Sequence, residues 1–210
     1  MTDNAIGLIS IGEMILQFAH VNRVTLHVDG VTPESDTDHT VMLSVAACAI
    51  ASKLYPHVLD VGKVAQFAIV HDLVEVYAGD TNTFSMMHDE REEKEKRERD
   101  AFLRIQQEFE HVYPWIPSMI MKYESLDTKE ARFVKTLDKA MTKVTNILNQ
   151  GAYYKRHQNK KDEVESYYKK QIIHSRETYG AEFPELLLII EELMGTLLSI
   201  TYKADADITI

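Results

Sequence analysis

Val70-His71-Asp72-Leu73-Val74-Glu75-Val76-Tyr77-Ala78-Gly79-Asp80 is the stretch whose reading decides the fold of this chain. It sets an imidazole and a carboxylate side by side, a pair that can hold one metal ion together. Its apolar residues continue a three- and four-residue spacing that begins near Asp60, which predicts a helix over Asp60 to Tyr77. Gly79 then serves as a helix stop that lets the chain reverse and carry Asp80 back toward His71 and Asp72. A His-Asp dipeptide is common by chance, so its weight depends on ligand-type residues elsewhere.

Upstream, His39 follows the acidic, cap-rich run Glu34-Ser35-Asp36-Thr37-Asp38 and opens an apolar segment, the pattern of a helix start. Downstream, Asp138 stands in Phe133-Val134-Lys135-Thr136-Leu137-Asp138-Lys139-Ala140, a carboxylate flanked by apolar residues at helical spacing. Taken singly, His39 reads as an N-terminal-turn histidine and Asp138 as an ion-paired helix carboxylate. Taken together with His71 and Asp72 they make a mixed nitrogen and oxygen set. Such a set suits one divalent transition metal (Mn, Co, Fe, Ni or Zn) better than Mg, with positions left open for water and substrate.

The order His, His-Asp, distant Asp resembles the HD-domain metal-dependent phosphohydrolases, and more narrowly their 5′-deoxynucleotidase branch. The resemblance runs from about Asn22 to about Asn149. It rests on Asn22-Arg23, Glu34-Ser35 before His39, His71-Asp72-Leu73-Val74-Glu75 with Gly79-Asp80, and Glu130-Ala131-Arg132-Phe133-Val134-Lys135 leading to Leu137-Asp138-Lys139. It implies that His39, His71, Asp72 and Asp138 hold the metal and that Glu75 and Asp80 are the catalytic acid and base, with no assignment between them. Helical geometry agrees for Glu75, which falls four residues after His71 and three after Asp72. Asp80 by itself reads equally as an ordinary loop acid.

A metal-activated water attacking a phosphomonoester needs a partner for the phosphate dianion. Arg23 is the substrate-binding candidate, because a guanidinium grips phosphate oxygens in pairs. Its other reading is a helix C-terminal arginine favoured by the macrodipole. Val24 follows Arg23 where the resembling family has Trp, so a base-stacking role is not carried over.

The remaining helices are expected over Ile6 to Asn22, His39 to Tyr55, His88 to Glu110, Pro114 to Asp127, Thr128 to Asn149, a charged segment ending near Thr178, and Phe183 to about Tyr202. The fold class is all-α: one HD-type helical bundle over residues 1–210, with a core over about 6–150 and a C-terminal helical extension over about 151–202. The charged run Asp89 to Asp100 mixes signs and reads as a solvated helix face or a flap over the site. His88 and His111 do not form the regular added pattern of a second metal site, so a mononuclear site is expected. The apolar face Leu186, Leu187, Ile189, Ile190, Leu193, Leu197 and Leu198 either completes the core or buries itself in a homodimer. Residues 203–210 read as a loose tail.

With 210 residues the chain can bury a sizeable core, and its formal charge of −10 argues against a nonspecific binder of nucleic-acid polymers. Cys48, the only cysteine, permits no intrachain disulfide and points to a cytoplasmic setting. No basic segment precedes the first apolar stretch, and no membrane span is expected. The expected function is removal of the 5′-phosphate from (deoxy)nucleoside monophosphates. A deoxynucleoside triphosphate hydrolase is the alternative within the family, and a non-catalytic nucleotide-binding module the alternative outside it.

Overall fold

Ser35 starts the helix that carries His39. The Ser35 hydroxyl accepts from the Asp38 amide while the Asp38 carboxylate accepts from the Ser35 amide, both at 3.1 Å, a reciprocal cap that fixes the first turn. The computed structural model describes residues 1–84 and 88–203, leaving aside the side chain of His88. Residues 85–87 and 204–210 lie outside the described residues, and with the latter all of the expected tail over 203–210 except Lys203.

Helix α1 spans Asp3–Phe18 and α2 spans Asp36–Leu54. Between them the chain is extended, with strand β1 over Asn22–Leu26 paired to β2 over Pro33–Ser35. The first helix therefore stops four residues before the expected Asn22, and Arg23 stands on a strand. The reading of Arg23 as a helix-end arginine is thereby overturned. Val21, Val24 and Thr25 are β-branched and favour the extended backbone. At the hairpin tip the Asp29 carboxylate accepts from the Val31 and Thr32 amides at 2.8 and 2.9 Å, and Gly30 takes a positive φ of 67°.

Helix α3 spans Val61–Val70, capped by Asp60, whose carboxylate accepts from the Gly62 and Lys63 amides. It packs on α2, where the small side chains of Ala47 and Ala51 are fully buried, and on α6 (Trp115–Glu124). The expected helix over Asp60 to Tyr77 is broken: α3 ends at Val70, and a separate turn, α4, covers Glu75–Ala78. Across the break the amides of Leu73, Glu75 and Val76 each donate to the carbonyl three residues back, which tightens the turn. Gly79 closes it as expected, with φ 74° and its amide donating to the Glu75 carbonyl at 2.8 Å. Helix α5 (His88–Phe109) lies along α4 and α6 and docks through Ala101, Ile105 and Phe109.

The chain divides into two compact units, 1–24 with 34–135, and 25–33 with 136–210. The division falls inside one continuous helix, α7 (Lys129–Leu148). The second unit holds the later part of α7, then α8 (Ala152–Arg156), α9 (Lys161–Glu177), a 3₁₀ turn over Gly180–Glu182, and α10 (Pro184–Thr201). Leu186, Leu187, Ile190, Leu197 and Leu198 of α10 are buried in a unit where α9 contributes Val164, Tyr168 and Ile172, so this apolar face completes a core. Lys143 is buried here with 0% exposure, its ammonium donating to the Lys139 carbonyl at 2.8 Å and to Gln171 Oε1 at 2.7 Å.

The fold is all-α apart from the two-stranded hairpin. Cys48 is half-buried. Among the described residues, no helix is long and apolar enough to cross a membrane.

Candidate metal centre

The break after Val70 aims His71. Its Nδ1 lies 2.9 Å from the Ala68 carbonyl, an acceptor, so this nitrogen is the one that carries the hydrogen and Nε2 keeps its lone pair. That lone pair faces Asp72 Oδ2 at 3.0 Å. Two electron-rich atoms at this distance repel unless a cation or a proton stands between them. His39 Nε2 approaches the same carboxylate oxygen at 3.9 Å. The two rings, tilted with centroids 5.2 Å apart, are both buried. His39, His71 and Asp72 thus converge within the first unit. Two buried imidazoles and a carboxylate are a donor set that fits a first-row divalent ion. Asp138, the fourth expected ligand, lies on the part of α7 that belongs to the second unit, half-buried and paired with Lys139 at 2.8 Å.

Around this centre the first unit gathers acids. Asp36, Glu75 and Asp80 each bring a carboxylate oxygen within 4.8 Å of the other two. Arg23 threads among them: its Nη1 donates to Asp36 Oδ1 at 2.9 Å and to Asp72 Oδ2 at 3.0 Å, and lies 3.9 Å from Glu75 Oε2. Glu34 flanks the same guanidinium at 4.0 Å from Nε. The Asp36 amide also donates to the Val21 carbonyl at 3.0 Å, which joins the start of α2 to the chain just ahead of Arg23.

Burial and mutual repulsion raise the proton affinity of these acids. Burial pushes Asp36 up to about 6, helped by the charges of Asp72 and Asp80 and opposed by Arg23. Burial also lifts Glu75 well above the usual carboxylate range, with Asp72, Asp36 and Asp80 adding and Lys94 opposing. Asp80 is raised chiefly by burial, against the pull of Arg23. A glutamate whose proton affinity burial raises, next to metal-type ligands, is a candidate proton acceptor.

Sequence reasoning brought His39, His71, Asp72, Glu75, Asp80 and Arg23 to this unit and missed two residues beside them. One is Asp36, read there as part of a capping stretch. It precedes His39 by three residues and so shares its helix face. The other is Lys94, read there as part of a solvated helix face or a flap over the site; its ammonium lies 3.7 Å from Glu75 Oε1 and 3.2 Å from Glu98. Burial works against its charge, but Glu75 and Glu98 outweigh this and raise its pKa. The signal was phase: 94, 98, 101, 105 and 109 form one stripe of α5, whose last three members, Ala101, Ile105 and Phe109, are buried.

Residues 16–179 match the family model described as HD domain. A solved structure from Magnetospirillum magnetotacticum MS-1, named a predicted metal-dependent phosphohydrolase, superposes with a TM-score of 0.73 at 22% identity, over 95% of this chain and 97% of that one. At that identity the likeness is one of fold. No curated protein matches. Because the family match covers well over half of the sequence and includes both histidines and both expected ligand aspartates, the chain belongs to the HD-domain family.

Proposed function

We propose that the chain is a metal-dependent phosphohydrolase that removes the 5′-phosphate from deoxynucleoside monophosphates. The observation that carries this reading is the meeting of His39, His71 and Arg23 at Asp72, with Glu75 beside them. Membership of the HD-domain family supports it, as does the name of the Magnetospirillum structure. The resemblance of two separate sequence blocks to 5′-deoxynucleotidases supports the narrower substrate. The family match also runs across the division between the two units, which supports treating residues 1–210 as one functional domain.

In this reading His39, His71, Asp72 and Asp138 hold one divalent transition metal. The ion, when bound, supplies Lewis acidity to a water molecule and to the phosphoryl oxygens. Glu75 and Asp80 divide the proton transfers: one takes a proton from the attacking water, and the other meets the departing 5′-oxygen of the sugar. A water oxygen bonds to phosphorus as the bond from phosphorus to the 5′-oxygen breaks, which leaves phosphate and a nucleoside. Arg23 offers its guanidinium to the phosphate oxygens while its Nη1 remains anchored by Asp36 and Asp72.

The test is product release by metal-stripped protein resupplied with Mn, Co, Zn or Mg. Deoxynucleoside monophosphates, their ribose counterparts and deoxynucleoside triphosphates are the substrates, and Asp72→Ala is the blank. Phosphate and nucleoside from the monophosphates support the proposal. Triphosphate cleavage with inert monophosphates would move the chain to the triphosphate hydrolase reading. Silence across the panel would overturn both.

A further inference from the structure

Glu75 and Asp80 are carried by a stretch of chain that does little to hold itself in place. Helix α4 is one turn of four residues, Val74 before it supplies no side-chain cap, and a single turn does not persist alone in water. After it comes Gly79 at φ 74°, where an added Cβ would meet nothing within 4 Å. Where the two acids stand is therefore set by what this stretch leans on. It packs against α1 and, more extensively, against α5.

Helix α5 grips the stretch on both sides of Gly79. On one side the Tyr77 hydroxyl donates to Glu108 Oε2 at 2.6 Å, and the Arg104 guanidinium lies 3.6 Å from the centre of the Tyr77 ring. Arg104 Nε donates to Glu108 Oε1 at 2.9 Å, so the two groups that hold Tyr77 also hold each other, one turn apart. Burial, with the Glu108 carboxylate adding, pushes the Tyr77 hydroxyl up to about 12, and it remains a donor across the neutral range. On the other side of Gly79, Arg97 Nη2 donates to Thr81 Oγ1 at 2.9 Å. Positions 97, 101, 104 and 108 follow one another at steps of four, three and four, so the contacts leave one face of α5, with Ala101 buried between them. We propose that Tyr77, Arg104, Glu108 and the Arg97–Thr81 pair are positioning residues that splint segment 75–81 against α5 and so fix where Glu75 and Asp80 stand. Their effect on the reaction passes through those two acids, and the inference rests on the reading of Glu75 and Asp80 as the pair that moves protons. Arg23 and the metal-ligand set lie outside the splint, so loosening it slows turnover and leaves phosphate binding in place.

The experiment pairs steady-state kinetics on deoxynucleoside monophosphates with hydrogen exchange of segment 75–81, read by mass spectrometry on the full chain. The variants are Tyr77→Phe, Glu108→Ala, Glu108→Gln, Arg97→Ala, Thr81→Ala and the doubles Tyr77→Phe with Glu108→Ala and Arg97→Ala with Thr81→Ala. Arg99→Ala, on the opposite side of α5 from Arg97, is the control. In Tyr77→Phe and Glu108→Ala, kcat is expected to fall about 10- to 100-fold while KM stays within about twofold. Each double variant should lose no more than its worse single, because both changes break the same tie. Glu108→Gln, which keeps an acceptor for the Tyr77 hydroxyl, should recover part of the loss. Amides of segment 75–81 should exchange faster in the same variants while those of α2 are unchanged, which also shows that the variants are folded. A kcat unaltered in both doubles overturns the proposal, as do losses that simply add or exchange in segment 75–81 that does not change. An unaltered protein that turns over none of the substrates refutes the reading of its function instead, and the exchange data then decide by themselves whether α5 splints this segment.

Discussion

Removing Arg23 should unsettle the first unit before any substrate is considered. Its Nη1 lies 2.9 Å from Asp36 and 3.0 Å from Asp72, with Glu75 at 3.9 Å and Glu34 at 4.0 Å from the same guanidinium. At an effective dielectric near 20, each of the two short contacts carries about 5–6 kcal/mol of gross attraction. Much of that is cancelled by the cost of taking the ions out of water, and deleting one partner of a buried pair costs about 3–5 kcal/mol net. Arg23→Ala in chelator is therefore expected to lose about 3–5 kcal/mol. The double variant Arg23→Ala with Asp36→Ala should recover about 1 kcal/mol or more relative to additivity, because the orphaned Asp36 charge is gone. Urea unfolding followed by tryptophan fluorescence reads this locally, since Trp115 is the only tryptophan and sits on α6 of the same unit. A loss under about 1 kcal/mol, or strict additivity in the double variant, would refute the claim that Arg23 holds these acids together.

Glu75→Gln keeps the shape of the side chain and cannot accept a proton as a carboxylate does, so kcat should fall about 10²- to 10⁴-fold while metal bound at the imidazoles is unchanged by elemental analysis. Lys143, buried beside Gln171, has its pKa pushed well below the ordinary lysine value by burial, with Lys139 adding and Asp138 opposing. Between its folded and unfolded pKa values the unfolded chain holds a proton that the folded chain does not. Stability should therefore rise with pH across that interval, by up to about 1.4 kcal/mol per pH unit, and level off above the ordinary lysine value. Lys143→Met should abolish this slope in denaturant titrations run at a series of alkaline pH values. Gly151 has a φ of 72°, and a Cβ there would run into the Thr201 side chain. Gly151→Ala is expected to cost about 1–3 kcal/mol by calorimetry, and an unchanged melting temperature would contradict the tight approach.

Which parts of this fold could be read in advance follows from how local their causes are. The start of α2 is written in Ser35 and Asp38, which cap each other within three residues. The start of α10 is similarly marked by Pro184 in the first turn. The hairpin is different: Val21, Val24 and Leu26 continue the apolar spacing of α1, and over so few residues a strand cannot be told from the end of a helix. The break between α3 and α4 is harder still, because it consists of hydrogen bonds shortened from four residues to three, with no glycine or proline to mark it. The division inside α7 leaves no trace in the sequence, since an unbroken helix carries no linker.

The candidate site divides along the same line. Histidines and aspartates set among apolar residues advertise themselves, because an unpaired polar group in a core has to be doing something. Asp36 and Lys94 do not, because one sits in a capping stretch and the other in a charged run, where the same residues are ordinarily solvated. What distinguishes them is helical phase, Asp36 with His39 and Lys94 with Ala101 and Ile105. Phase says only that they turn inward, and the partner that makes an inward charge tolerable comes from another element. For Asp36 that partner is Arg23, delivered by the strand that followed α1 unannounced, with the Asp36 amide tied to the Val21 carbonyl two residues before it. The hidden strand and the hidden acid therefore explain each other. Asp36 can be buried because β1 brings Arg23 to it, and β1 runs where it does because the start of α2 offers it both a backbone donor and a carboxylate.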